Sequence, residues 1–229
     1  MTGTVLIVGA GRGLSASLAR AFARDGARVV LAARDAGKLA SLAEETGANA
    51  LECDAGKPVD VARLFEAASA ISGDPDVVVY NPSARVPGPI TELDPAAVER
   101  ALTVSAFGGF LVGQEAARRM LPRGTGAILF TGASASVKGY PQSAAFAMGK
   151  FALRGLAQSM ARELAPKGIH VAHFVIDGGI RSAGRPDPAN HPDSMLDPDQ
   201  IAETYLHVAR QHRSAWTWEV ELRPWVERF

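Results

Sequence analysis

The chain has 229 residues, 47% apolar and 21% charged, with 24 Lys plus Arg set against 24 Asp plus Glu. That balance excludes a disordered, highly charged chain and gives no broad pull toward nucleic acid or an anionic membrane, so a small molecule is the expected partner. Cys53 is the single cysteine, which leaves neither an internal disulfide nor a multi-cysteine metal site and predicts a reducing, cytoplasmic setting.

The length suits one α/β domain over 1–229, and no apolar stretch approaches the ~20 residues of a membrane span. The opening "MTGTVLIVGAGRGLSASLARAF" therefore reads as a first strand, 4–9, leading into a helix over 13–25. Between them lies "GAGRGL". Gly9 permits the tight turn, and Gly11 and Gly13 let backbone approach a pyrophosphate. The helix start beyond them offers free N–H groups to that anion. Glycines alone are a weak signal, but glycines placed between a first strand and a first helix predict nucleotide binding.

The second strand, 28–33, ends in "LAARD". An acidic residue directly after it would accept the 2′-hydroxyl of NAD, whereas Arg34 stands there, with Arg12 in the glycine loop aimed at the same pocket. Two guanidinium groups suit a 2′-phosphate, so NADP(H) is favoured over NAD(H). Asp35 is the rival acceptor, and its expected role is to cap the helix that follows at 36–45.

Strands then alternate with helices: 48–53, helix 58–70, strand 76–80, helix 94–121, strand 126–132, helix 143–165 and strand 169–176. The strands are apolar nearly throughout, as in a parallel sheet covered on both faces, and the alternation predicts a doubly wound α/β fold. His170 and His173, three apart on the sixth strand, point to opposite faces and form no metal pair, and no other metal-ligand spacing is present. The stretch "GRPDPANHPDSMLDP" follows, and a long irregular segment at that end of such a sheet predicts a substrate lid over 183–198. Asp197 caps a helix over 198–212, with Pro198 in its first turn. A last strand, 216–222, exposes Thr217, Glu219 and Glu221 on one wet face.

With these residues on the page, the chain resembles the short-chain dehydrogenase/reductase family over nearly its whole length. The support is "GAGRGL", "CDAG", "YNPSA", "GAILFTGAS", "FAMGKFALRGLAQSMARELAPKGIHVAHFV" and "DGGIRS". The resemblance implies a Rossmann-like, mostly parallel sheet of seven strands with helices on both faces, and a nicotinamide cofactor. It also implies a homodimer or homotetramer built through the helices at 94–121 and 143–165. By the same resemblance Leu14 completes the phosphate loop, Asp54 touches the adenine and Asn81 supports the cofactor-side strand end. Lys150 holds ribose hydroxyls, and Ile180 and Ser182 contact the carboxamide and phosphates.

Departures from the family pattern gather at the chemistry. Val8 and Ser15 replace a threonine and a glycine of the first loop, Tyr80 and Pro82 flank Asn81, and Asp177 replaces a proline. Ser105 stands where the long helix carries an active-site asparagine. Ala133 occupies the position of the catalytic serine, with Ser134 its neighbour. Most consequentially, Phe146 occupies the tyrosine position four residues before Lys150. At that spacing an ammonium beside a phenol lowers its pKa and makes it a proton donor, and Phe146 has no proton to give. The catalytic candidates are therefore Lys150, Ser134 and Ser105. The expectation is a divergent NADP(H)-dependent oxidoreductase acting on a small carbonyl or alcohol substrate. The alternative is an NADP(H)-binding protein with little or no redox turnover.

Overall fold

The computed structural model describes residues 3–227. Seven strands form one sheet: β1 (Thr4–Val8), β2 (Arg28–Ala33), β3 (Asn49–Glu52), β4 (Val77–Tyr80), β5 (Gly126–Thr131), β6 (Ile169–Ile176) and β7 (Glu219–Leu222). Their order is β3-β2-β1-β4-β5-β6-β7, and every pairing is parallel. The order reverses between β1 and β4, which opens a crevice beyond the carboxyl ends of those strands.

Residue alternation along the strands builds two cores. Val5, Ile7, Leu31, Val79, Leu129 and Phe174 face one layer with helices α1 (Leu14–Arg24) and α7 (Pro198–Ala209). Leu6, Val8, Val30, Val78, Ile128 and Val171 face the other. That second layer holds α3 (Pro58–Ser72), α5 (Gly108–Met120) and α6 (Ala144–Leu164). Strands apolar on both faces are what two covering layers require. The remaining helices, α2 (Ala40–Thr46) and α4 (Pro95–Leu102), lie at the margins.

Two helix starts follow their sequence signals, whereas Asp35, expected to cap the helix after β2, makes no capping side-chain bond. Asp197 Oδ1 accepts from the Asp199 amide at 2.8 Å and Pro198 opens α7, and Asp94 with Pro95 does the same for α4. The helix expected over 94–121 is one helical run with a π-helical turn at Thr103–Phe107 between α4 and α5. This run, Pro95–Arg123, is long and apolar enough to cross a membrane by length and composition alone. Here Leu111, Val112, Ala116 and Met120 on its inner face are core residues.

Two expectations need correction. The last strand begins at Glu219, because Trp216 and Trp218 precede it in an irregular segment. Glu219 is also not on a wet face: Arg154 of α6 donates to it through Nε and Nη2 at 2.6 and 2.8 Å, and His173 Nδ1 lies 3.1 Å away. Two cationic or polar partners inside the sheet edge outweigh the alternation pattern at that position.

Candidate active site

The loop after β1 is pinned before it meets any ligand. The amides of Gly9 and Ala10 both donate to the Ala32 carbonyl at 2.9 Å, tying the turn to the end of β2. Gly9 has φ +80, and a Cβ there would stand 2.7 Å from the Pro82 ring, so glycine is required. Around Gly11 and Gly13 the space is open. Gly13 begins α1 without a side-chain cap, and although the Ala16 amide donates to the Gly13 carbonyl, the N–H groups of Leu14 and Ser15 and the positive end of the helix dipole are available to an anion.

The departure at Ser15 is absorbed rather than disruptive. Its hydroxyl donates to the Gly9 carbonyl at 3.1 Å and accepts from Asn81 Nδ2 at 2.7 Å, while the Asn81 amide bonds the Val8 carbonyl at 3.0 Å. One serine thus joins the loop to the end of β4.

Beside this cradle runs a crevice of about 960 Å³ whose walls include Gly9, Gly11, Arg12, Arg34, Asp54 and Asn81. That is room for a nucleotide-sized ligand. Arg12 and Arg34 are exposed and have no ion-pair partner among the described residues. Lys38, on the same wall, holds Asp35 at 3.1 Å and thereby keeps its carboxyl below the usual range. The rival ribose acceptor is therefore engaged by a cation. Asp54 Oδ1 accepts from the Gly56 amide at 3.1 Å, which fixes the carboxylate on the crevice wall.

Other expected contacts lie outside that lining. Leu14 is 6% exposed and packs into the core, so only its backbone could serve a phosphate. Ile180 pairs with Leu196 and Ser182 with Arg185 inside a folded segment between β6 and α7. Arg181 clamps this segment through Asp187 and Asp197. The region expected as a lid thus has its own internal ties.

At the reaction end, Phe146 and Lys150 share one face of α6, and both are buried, at 7% and 2% exposure. Lys150 Nζ donates to the Thr131 carbonyl at 2.7 Å and to the Pro82 carbonyl at 3.4 Å. Burial, and then the nearby Arg85, draw its pKa down to about 7. Arg85 stacks on Phe146 with its guanidinium carbon 4.1 Å from the ring centroid. Sequence reasoning missed Arg85, since a loop arginine five residues after a strand carries no spacing signal.

The hydroxyl candidates are placed as follows. Ser105 is fully buried in the π-helical turn, where its Oγ accepts from the Ala84 amide at 3.2 Å. Ser134 is half-buried at the start of a short 3-10 turn after β5. Tyr140 is 45% exposed. Asp177, in place of the proline, is buried and meets Lys138 at 3.0 Å and Arg223 at 3.8 Å. Both strand histidines are structural in their contacts. His170 stacks on Trp216 at 4.9 Å, and burial draws His173 down to about 4 against the opposing pull of Glu219. Among the described residues no cluster of three or more His, Cys, Asp or Glu could hold a metal ion.

The model of the short chain dehydrogenase family matches residues 3–186. The chain belongs to the short-chain dehydrogenase family. A biofilm dispersal mediator protein of Escherichia coli, described as cyclic-di-GMP-binding, is 36% identical over 82% of this chain and 77% of its own length. A short-chain dehydrogenase from Rhodopseudomonas palustris has 38% identity and a TM-score of 0.86, covering 98% of this chain and 100% of that one. A metagenomic short-chain oxidoreductase in complex with NADP has 27% identity and a TM-score of 0.85, over 99% and 98% of the two chains. The all-parallel seven-stranded sheet belongs to the fold this chain shares with the two solved structures.

Proposed function

We propose that this chain is an NADP(H)-dependent oxidoreductase of small carbonyl or alcohol substrates that works without a phenolic acid. The observation that carries the reading is the crevice wall where Arg12 and Arg34 have no ion-pair partner among the described residues while Lys38 pairs with Asp35. Two guanidinium groups at the end of β2 suit a 2′-phosphate, and the ordered loop at Gly9, Gly11 and Gly13 suits a pyrophosphate. Asp54 and Asn81 take the adenine-side and strand-end roles, and Ile180 and Ser182 the nicotinamide side, once the ligand is in place. The solved NADP complex of the metagenomic relative supports the same cofactor.

A bound nicotinamide supplies or accepts hydride at a carbonyl carbon. The protein's part is to hold the substrate beside Phe146 and to manage the proton. Lys150, with a pKa drawn down to about 7, is the group on that helix face able to exchange a proton near neutrality. Ser134, in the short 3-10 turn after β5, polarises the substrate carbonyl. Ser105 acts by fixing the Ala84 loop through its hydroxyl. The segment at 183–198 serves as the substrate lid, and the single buried Cys53 suits a cytoplasmic enzyme.

Assembly is expected through the outer face of the layer that holds α5 and α6. Phe107, Phe110, Met148 and Phe151 are 47, 41, 51 and 45% exposed, on the helices expected to build a homodimer or homotetramer. Large apolar rings clustered on a surface favour burial against a second copy.

A second reading has one observation in its favour. Phe146 has no hydroxyl and its face is covered by Arg85, which suits an NADP(H)-binding protein with little redox turnover. One experiment separates the two: NADPH consumption by wild type and Phe146→Tyr across a carbonyl panel. The oxidoreductase reading expects slow wild-type turnover and a gain of about 10² to 10⁴ on restoring the phenol. No turnover by either protein despite tight NADPH binding would leave the binding-protein reading standing instead.

A further inference from the structure

The loop that carries Arg85 is tied down on both sides of it. On one side the Ala84 amide is tied to Ser105 Oγ at 3.2 Å, and on the other the Gly88 amide is tied to the Gln142 carbonyl at 3.1 Å. Between these anchors the guanidinium lies on the Phe146 ring at 4.1 Å. Stacking uses the flat face of the guanidinium and leaves its in-plane N–H fork free. Arg85 is exposed and has no ion-pair partner among the described residues. It does not line the nucleotide crevice, so the phosphates expected there are not its ligand.

An unpaired fork of donors beside the position where the family's acid would stand suits an oxyanion accepting two parallel N–H bonds, and with the cofactor's phosphates directed to the crevice the fitting group is a carboxylate. The absent phenol supports this, because the bare ring offers its face to a cation and no competing hydroxyl. We propose that Arg85, stacked on Phe146, is the substrate-recognition group of the site and that the substrates are carbonyl compounds carrying a carboxylate. This rests on the oxidoreductase reading above only for calling the ligand a substrate; the anion site itself stands on Arg85 and Phe146.

The test is calorimetric binding to protein loaded with NADP+, which has no hydride to deliver. The probes are phenylglyoxylate and its neutral methyl ester, titrated into wild type, Arg85→Ala and Arg85→Lys. The acid is expected to bind wild type at least about 10-fold more tightly than the ester, since hydrogen bonds to charged groups carry that much. Arg85→Ala should lose about 10- to 100-fold for the acid with the ester unchanged, and Arg85→Lys should fall between, having the charge without the fork. An acid that binds no better than the ester, binds Arg85→Ala as well as wild type, or fails to bind at about 10 mM would overturn the proposal. NADP+ affinity measured alongside shows that Arg85→Ala is folded, because Arg85 lies outside the crevice. If wild type fails to bind NADP+, the oxidoreductase reading falls, and the acid and ester comparison on the free protein still judges the Arg85 site.

Discussion

Asn81 Nδ2 donates to Ser15 Oγ at 2.7 Å, and through that serine the end of β4 is joined to the Gly9 carbonyl of the phosphate loop. Each bond contributes about 1 kcal/mol net, and the shared hydroxyl couples the two. Asn81→Ala, which removes one of the bonds, should lower stability by about 1 kcal/mol, and Ser15→Ala, which removes both, by about 2 kcal/mol, while the double variant should lose clearly less than their sum. Urea unfolding of the four proteins reads this, with a coupling of about 0.5 to 1.5 kcal/mol expected. Strict additivity would show that the bridge is idle.

Cofactor choice should follow the guanidinium groups of Arg12 and Arg34 on the crevice wall. Arg34→Ala is expected to weaken NADPH binding about 10- to 100-fold while leaving NADH nearly unchanged, and Arg12→Ala should act in the same direction. Their effect should shrink as salt rises, because both side chains are exposed. Parallel calorimetric titrations with NADPH and NADH decide it. Equal affinities in wild type, unaltered by either substitution, would remove the 2′-phosphate assignment.

Much of this architecture was legible in the residues because local and global preferences agree. The runs at Val5–Val8 and Val77–Tyr80 are apolar without alternation, and only a sheet covered on both faces accommodates them. Gly9 was legible for the same reason, since a positive φ at a strand end leaves glycine little competition. What escaped was set by partners distant in sequence. Glu219 reads as exposed in its own strand but is drawn inward by Arg154 of α6. Lys150 is expected from the resemblance to hold ribose hydroxyls, yet here its Nζ donates to the Thr131 and Pro82 carbonyls. Arg85 acquires meaning only through Phe146, 61 positions later in the sequence. No spacing rule reaches across such separations.

The change at Tyr80 carries its own compensation. The ring is buried between β4 and α5, with its hydroxyl donating to the Val104 carbonyl. A Cβ at Gly108 would fall 2.4 Å from that hydroxyl oxygen and 2.8 Å from the Ala55 carbonyl oxygen. Gly108→Ala should therefore cost about 2 kcal/mol or more through overpacking. Tyr80→Phe alone should cost about 1 kcal/mol for the lost bond. Combined, Tyr80→Phe and Gly108→Ala should lose less than the sum, since removing the hydroxyl relieves one of the two clashes. Thermal melting of the set measures it, and a Gly108→Ala protein as stable as wild type would refute the close approach.

Lys150 gives the protein a defined response to pH. Its folded pKa is drawn down to about 7 from 10.5, first by burial and then by Arg85, so between those values the unfolded chain holds a proton that the native state lacks. Stability must then rise with pH above about 7, approaching about 1.4 kcal/mol per pH unit, whereas below pH 7 both states are protonated and the cost of the buried charge is fully present. Neighbouring titrations leave a window. His173, drawn down to about 4, adds its rise below about pH 6.5, while Cys53, pushed up to about 11 by burial, begins to oppose above about pH 9. Urea unfolding between about pH 7 and 8.5 should show the slope in wild type and lose it in Lys150→Met, which keeps the stem without the charge. The variant should also be the more stable protein at pH 6.5, despite leaving the Thr131 carbonyl without its 2.7 Å donor. A wild-type stability that is flat across this range would mean that the two carbonyl oxygens hold the ammonium charged at neutral pH, and Lys150 would then be a fixed cation rather than a proton carrier.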